Sequence, residues 1–189
     1  MSKMTRLTLL CRGATTANRK SIFGLDEALA PAEAAKAQAL FARLPRFDVI
    51  VCGPEDSARS TAAAHSGDVA TEAALAELDY GAWTGRTLAG IAETEPEALR
   101  LWLGDPQANP HGGESIAALQ DRAACWLQGR AATGGHTVAV THAPVIRALV
   151  VAVLEAPPAS FWKIDVAPLT VTELRHDGRR WALHAMGAG

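Results

Sequence analysis

Residues 7–18 read Leu7-Thr8-Leu9-Leu10-Cys11-Arg12-Gly13-Ala14-Thr15-Thr16-Ala17-Asn18. Leu7 to Cys11 is an apolar run too short for a helix, so Thr5 to Cys11 is expected to be a buried strand. The run ends at Arg12 and Gly13, followed by Thr15, Thr16 and Asn18. A strand that releases into a loop carrying a glycine, small hydroxyls and a guanidinium has the frame of a phosphate-handling turn.

The same alternation continues outward. Pro31 to Leu44 is expected to be a helix, with Pro31 in its first turn and Ala37, Leu40, Phe41 and Leu44 at helical spacing. Asp48 to Cys52 reads as a second strand and Glu55 to His65 as the helix after it. Leu78 to Gly90 carries turn residues and reads as a loop. Thr87 to Glu93 and Glu97 to Leu103 read as short helices. Ser115 to Arg130 places Ile116, Leu119, Ala123, Trp126 and Leu127 on one face of a longer helix. His136 to Thr141 is a further strand, and Pro144 opens a helix to about Leu154. Leu169 to Arg175 and Trp181 to Ala185 read as strands joined at Asp177-Gly178. Strands alternating with helices imply one domain over residues 1–189, a three-layer α/β/α arrangement with a mainly parallel sheet covered on both faces.

Bulk properties exclude several classes. The chain is 189 residues long, 49% hydrophobic and 20% charged, ordinary values for a globular protein. A formal net charge of −2 argues against general binding to nucleic acid or anionic membranes. The apolar stretch Val145 to Leu154 contains Arg147 and is too short to span a bilayer. The run Leu7 to Cys11 is too short for a signal peptide. Three cysteines fit reduced thiols in a cytoplasm better than a disulfide framework.

Three strand-to-helix junctions stand out: Cys11 to Thr15, Cys52 to Thr61 and Thr141 to Arg147. All lie beyond the carboxyl ends of expected strands, the edge where open α/β sheets bind ligands.

The residues at these junctions resemble the histidine phosphatase (phosphoglycerate mutase-like) superfamily. Residues 7–18 are similar to its opening strand and Arg-His-Gly-x-Thr-x-x-Asn, with Gly13, Thr15 and Asn18 matching. Cys11 stands at the arginine position and Arg12 at the position of the nucleophilic histidine. Cys52 to Ala62 resembles Ser-Ser-Pro-x-x-Arg-Ala-x-Gln-Thr-Ala, with Ser57 at the phosphate-binding arginine position. Arg59 lies two residues on, about the opposite helix face. Leu75 to Gly85 is similar to Leu-x-Glu-x-x-x-Gly-x-Trp-x-Gly, which puts Glu77 at the general-acid position. His111-Gly112-Gly113-Glu114-Ser115 resembles a Pro-Gly-Gly-Glu-Ser turn. Val138 to Arg147 resembles Val-x-Val-Thr-His-x-x-Val-Ile-Arg, which puts His142 at the second pocket histidine. The segment around Glu77 and Trp83 is most similar to the α-ribazole phosphatase type.

The resemblance implies chemistry through a phosphohistidine, with cationic groups on the equatorial oxygens and a carboxylic acid protonating the leaving group. Glu77 and His142 are the catalytic candidates. Arg12, Gly13, Asn18, Ser57 and His142 are the phosphate-binding candidates. A guanidinium stays protonated and cannot attack phosphorus. Loss of a covalent nucleophile removes on the order of 10⁴ or more in rate. The expectation is a protein that binds a small phosphorylated or carboxylated molecule with little or no phosphatase activity. The alternative is an active phosphomonoesterase with a rebuilt site using His142, Cys11 or activated water. Cys11, beside Arg12, is either a reactive thiol or a small buried hydrophobe, and Cys52 is expected on a neighbouring strand close to it. No cofactor or metal is required, and a homodimer remains an option. His65, His136, His176 and His184 are assigned to the surface. Trp83 and Trp102 are assigned to the core or a pocket mouth.

Overall fold

A computed structural model describes residues 4–188. Its centre is a six-stranded sheet. The strands are β1 (Thr5–Cys11), β2 (Val49–Cys52), β3 (Ala70–Thr71), β4 (Gly135–Thr141), β5 (Val171–His176) and β6 (Trp181–Ala188), in the order β3-β2-β4-β1-β5-β6. β3, β2, β4 and β1 run parallel, while β5 and β6 are antiparallel additions at one side. The sheet is therefore mixed and mainly parallel.

Alternation along β1 explains its place in the middle. Leu7, Leu9 and Cys11 join one core cluster, and Leu10 points into the other. The first cluster is covered by α4 (Leu88–Thr94), α5 (Pro96–Gly104), α6 (Ile116–Arg130) and α7 (Ala143–Val153). The second is covered by α2 (Pro31–Phe41) and α3 (Asp56–Ala62). A four-residue turn of helix, α1 (Thr16–Arg19), follows the β1 loop, with the Thr15 hydroxyl accepting from Asn18 N at 3.1 Å. Among the described residues, no helix is long and apolar enough to cross a membrane.

Some expectations change. β3 and α1 are additional elements, too short to show hydrophobic periodicity. The expected 78–90 loop contains a 3₁₀ turn at Gly81–Trp83, while α4 lies where the helix from Thr87 to Glu93 is expected. His136 and His176 are buried. The His136 Nδ1–H donates to the Arg46 carbonyl at 2.9 Å, and its Nε2 accepts from the Thr8 hydroxyl at 2.8 Å. That satisfies a polar residue inside the central strand, and burial keeps the imidazole neutral by lowering its pKa. Trp83 and Trp102 lie in the core, packed edge-on at 5.6 Å; the Trp83 indole donates to Glu95 Oε2 at 3.0 Å.

The loop at 79–85 is clamped by the turn at 111–114. Ala82 N donates to His111 O and Glu114 N to Asp79 O, both at 2.8 Å. A Cβ at Gly113 would lie 2.1 Å from Asp79 O, and one at Gly81 would lie 2.2 Å from His111 O. Both obstacles are backbone, so neither can swing aside. Gly113→Ala should therefore lower stability by about 2 kcal/mol or more, a Tm loss of roughly 4 °C or more. Gly129→Ala in α6, where an added Cβ meets nothing within 4 Å, should instead raise stability by about 0.5 kcal/mol. Thermal denaturation of the two variants checks both; similar effects would refute the clamp.

Candidate functional site

β1, β2 and β4 end at the same edge of the sheet, with Cys11 beside Thr141 and Cys52 beside Val140. The chain leaving each strand is tied to its neighbour. Arg12 N donates to Thr141 O at 2.8 Å and Gly53 N to Val140 O at 3.0 Å, while Gly13 N donates to the Thr61 hydroxyl at 2.9 Å. Above this edge lies a cavity of about 470 Å³ whose walls include Arg12, Asn18, Asp26, Glu55, Ser57, Glu77, His142 and Arg147.

His142, at the end of β4, is 2% exposed. Its Nε2 lies 2.8 Å from Glu55 Oε2 and its Nδ1 lies 3.0 Å from Glu77 Oε2. The Nδ1 approach is off the line of a good hydrogen bond, since Nδ1 otherwise lacks a bonded partner, so its effect is mainly Coulombic. The two acids are themselves fixed. Glu55 Oε1 accepts from Glu77 N at 2.9 Å, and Glu77 Oε1 accepts from Leu78 N at 3.0 Å. The segment that delivers Glu77 is held from behind by Arg122, which donates to the carbonyls of Ala74 (2.8 Å) and Ala76 (3.1 Å) and to both oxygens of Glu114.

Burial alone would lower the His142 pKa. The Glu77 charge, then the Glu55 contact, overcome it and raise the pKa to about 9. The reciprocal holds for the acids. Burial pushes Glu77 up, but His142 and Arg12 bring it below its ordinary value; Glu55 is lowered against burial by His142. At neutral pH the three groups form an imidazolium between two carboxylates.

The other candidates divide. Arg12 lines the cavity while its Nη1 donates to Gly13 O at 3.0 Å. Asn18 and Ser57 line it also, and the Ser57 amide donates to Asp26 Oδ1 at 3.2 Å. Gly13 is buried, its amide spent on Thr61, and it is not part of the cavity wall. Arg59 is directed to Asp56 at 2.9 Å, away from the wall.

Cys11 is 2% exposed in the core. Burial outweighs the pull of Arg12 and pushes its pKa to about 12. Of its two readings, the reactive thiol is set aside and the small buried hydrophobe holds, because neighbouring positive charge does not compensate for lost hydration. Cys52 is not beside it: β4 separates the two strands and the thiols face opposite cores.

Among the charged cavity residues not singled out from the sequence are Arg147, Glu55, Asp26 and the exposed Asp165. Arg147 is the only charge in the apolar helix α7, Ala143–Val153, and that isolation was its signal. Glu55 stands at the N-cap position of α3. Asp26 has no local signal; it enters the wall because its oxygens accept from Asp56 N (2.7 Å) and Ser57 N.

Residues 7–189 match the Histidine phosphatase superfamily (branch 1), and the chain belongs to that superfamily. A relative in Mycobacterium tuberculosis, Bifunctional protein Rv2228c, is 31% identical over 191 residues, covering 92% of this chain and 51% of its own length. The chain thus spans about half the length of the curated relatives it matches first. The structure of mycobacterial glucosyl-3-phosphoglycerate phosphatase Rv2419c with VO3 superposes with a TM-score of 0.84 at 28% identity, covering 97% of this chain and 99% of that one. The α-ribazole phosphatase of Shigella flexneri shares the fold, with a TM-score of 0.85 at 22% identity over 97% and 96% of the two chains.

The ion triad sets a pH dependence. The folded-state pKa of His142 is raised from 6.5 to about 9, so its stabilisation is complete below 6.5 and is lost as pH rises through 9. Glu55 and Glu77 are lowered from 4.5, so their stabilisation is complete above 4.5 and is lost in acid. Tm should be highest between pH 4.5 and 6.5 and fall toward pH 9. His142→Gln should flatten the alkaline fall in a melting series; an unchanged fall would contradict the triad.

Proposed function

We propose that this chain keeps the phosphatase scaffold without phosphoryl transfer, and that its cleft binds a small phosphorylated or carboxylated molecule. The observation that carries the reading is the placement of the cleft's nucleophile candidates: His142 is buried between two carboxylates and Cys11 is buried in the core. Arg12 has no lone pair to offer. His142 has each ring nitrogen facing a carboxylate within 3.0 Å and is protonated at neutral pH. Cys11 is a buried, neutral thiol. Glu77 is held ionised, so it is poorly placed to donate a proton to a leaving group. Arg12 and Arg147 provide guanidinium groups suited to a planar or tetrahedral oxyanion. Ser57 and Asn18 supply neutral donors on the same wall.

The same proposal includes a single domain over residues 1–189, supported by two core clusters sharing one sheet. It places the protein in a reducing, cytoplasmic setting, supported by unpaired Cys11, Cys52 and Cys125. No cofactor is needed for this role. The activities named for the relatives belong to those proteins.

Incubation with p-nitrophenyl phosphate should give no turnover above the uncatalysed rate by more than about 10³–10⁴. The variant Arg12→His, Ser57→Arg, changed at two positions of the cavity wall, should gain activity by on the order of 10² or more, because it supplies an imidazole nucleophile and a cation there. Efficient turnover by the unaltered chain, abolished by His142→Ala, would instead support the rebuilt-site alternative.

A further inference from the structure

We propose that the cleft selects ligands bearing an ammonium as well as an anionic group, with Arg147 receiving the anion and Asp26 and Asp165 the ammonium. This rests on the anion-binding reading above and narrows it to a ligand class.

The cavity wall carries Asp26, Glu55, Glu77 and Asp165 against Arg12, Arg147 and protonated His142, an excess of negative charge. Four of these groups are engaged within the protein. His142 lies between Glu55 and Glu77, and the Arg12 guanidinium donates to Gly13 O at 3.0 Å. Arg147, Asp26 and Asp165 are left to meet a ligand.

Arg147 is poised for an oxyanion. Its guanidinium lies over the Phe161 ring, 5.7 Å from the centroid, and its Nε is buried without a hydrogen-bond partner among the described residues. Its acid neighbour, Asp165, is 3.9 Å away with a side chain 99% exposed, so that pair is weak and readily exchanged. A ligand anion docked on Arg147 leaves Asp165 free. The Asp26 carboxylate accepts from two backbone amides and retains lone pairs for a third donor. A plain phosphomonoester dianion would add to the excess negative charge of the wall. An attached ammonium offsets it and gives the freed acids a partner.

Isothermal titration at pH 7.5 would compare two matched pairs of probes: phosphoethanolamine against ethyl phosphate, and β-alanine against propionate. The amine member should bind about fivefold tighter in each pair. Arg147→Gln should weaken both members, and Asp26→Asn should bring the amine advantage to about twofold or less. Asp165→Asn, at an exposed position, provides a second variant should Asp26→Asn perturb the loop. Equal affinities within both pairs overturn the ammonium proposal and leave the anion-binding reading standing. An amine advantage that survives both acid variants overturns the assignment to Asp26 and Asp165. No binding by any of the four probes overturns the anion-binding reading itself.

Discussion

A buried imidazolium needs compensating charge, and the cavity-bearing edge of this sheet is arranged around that need. His142 is nearly solvent-free, so an isolated charge there would be expelled or neutralised. Glu55, from the start of α3, and Glu77, from the segment before the 3₁₀ turn, supply the compensation from two directions. Those contacts tie together three pieces of chain remote in sequence. They also hold the ring as an imidazolium, which has no lone pair to present to phosphorus.

An arginine at position 12 is consistent with this arrangement. Arg12 keeps a positive charge at the end of β1 and helps hold Glu77 ionised. It does not behave as an isolated anion receptor, because part of its field is used inside the protein. Arg147, in a helix otherwise apolar, is the less committed cation. The cleft therefore differs from a simple cationic phosphate pocket. Its charges are mostly paired internally, and what remains is of both signs.

The fold was largely legible in the chain. The strands at 5–11, 49–52 and 135–141 are short apolar runs followed by turn residues, and the helix at 116–130 has a clear apolar face. Elements of two to four residues were not, since periodicity needs length. The site was half legible. Glu77 and His142 lie together as their motifs imply, and Arg12 and Ser57 reach the wall. Glu55 and Asp26 were missed because their roles come from three-dimensional approach, not local pattern. Of the two readings of Cys11, the small buried hydrophobe holds, because burial at a central strand end outweighs one adjacent charge. His136 was misplaced for a related reason: Thr8, on the adjacent strand, is the partner that permits its burial.

Phosphorus-31 NMR of the protein incubated with phosphoramidate, a strong phosphoryl donor, bears most directly on the central proposal that none of Arg12, His142 and Cys11 offers a lone pair to phosphorus. The account predicts no protein-bound phosphoramidate-type resonance at neutral pH, with the donor signal unchanged apart from hydrolysis. A stable phosphohistidine signal that disappears in His142→Ala would contradict it.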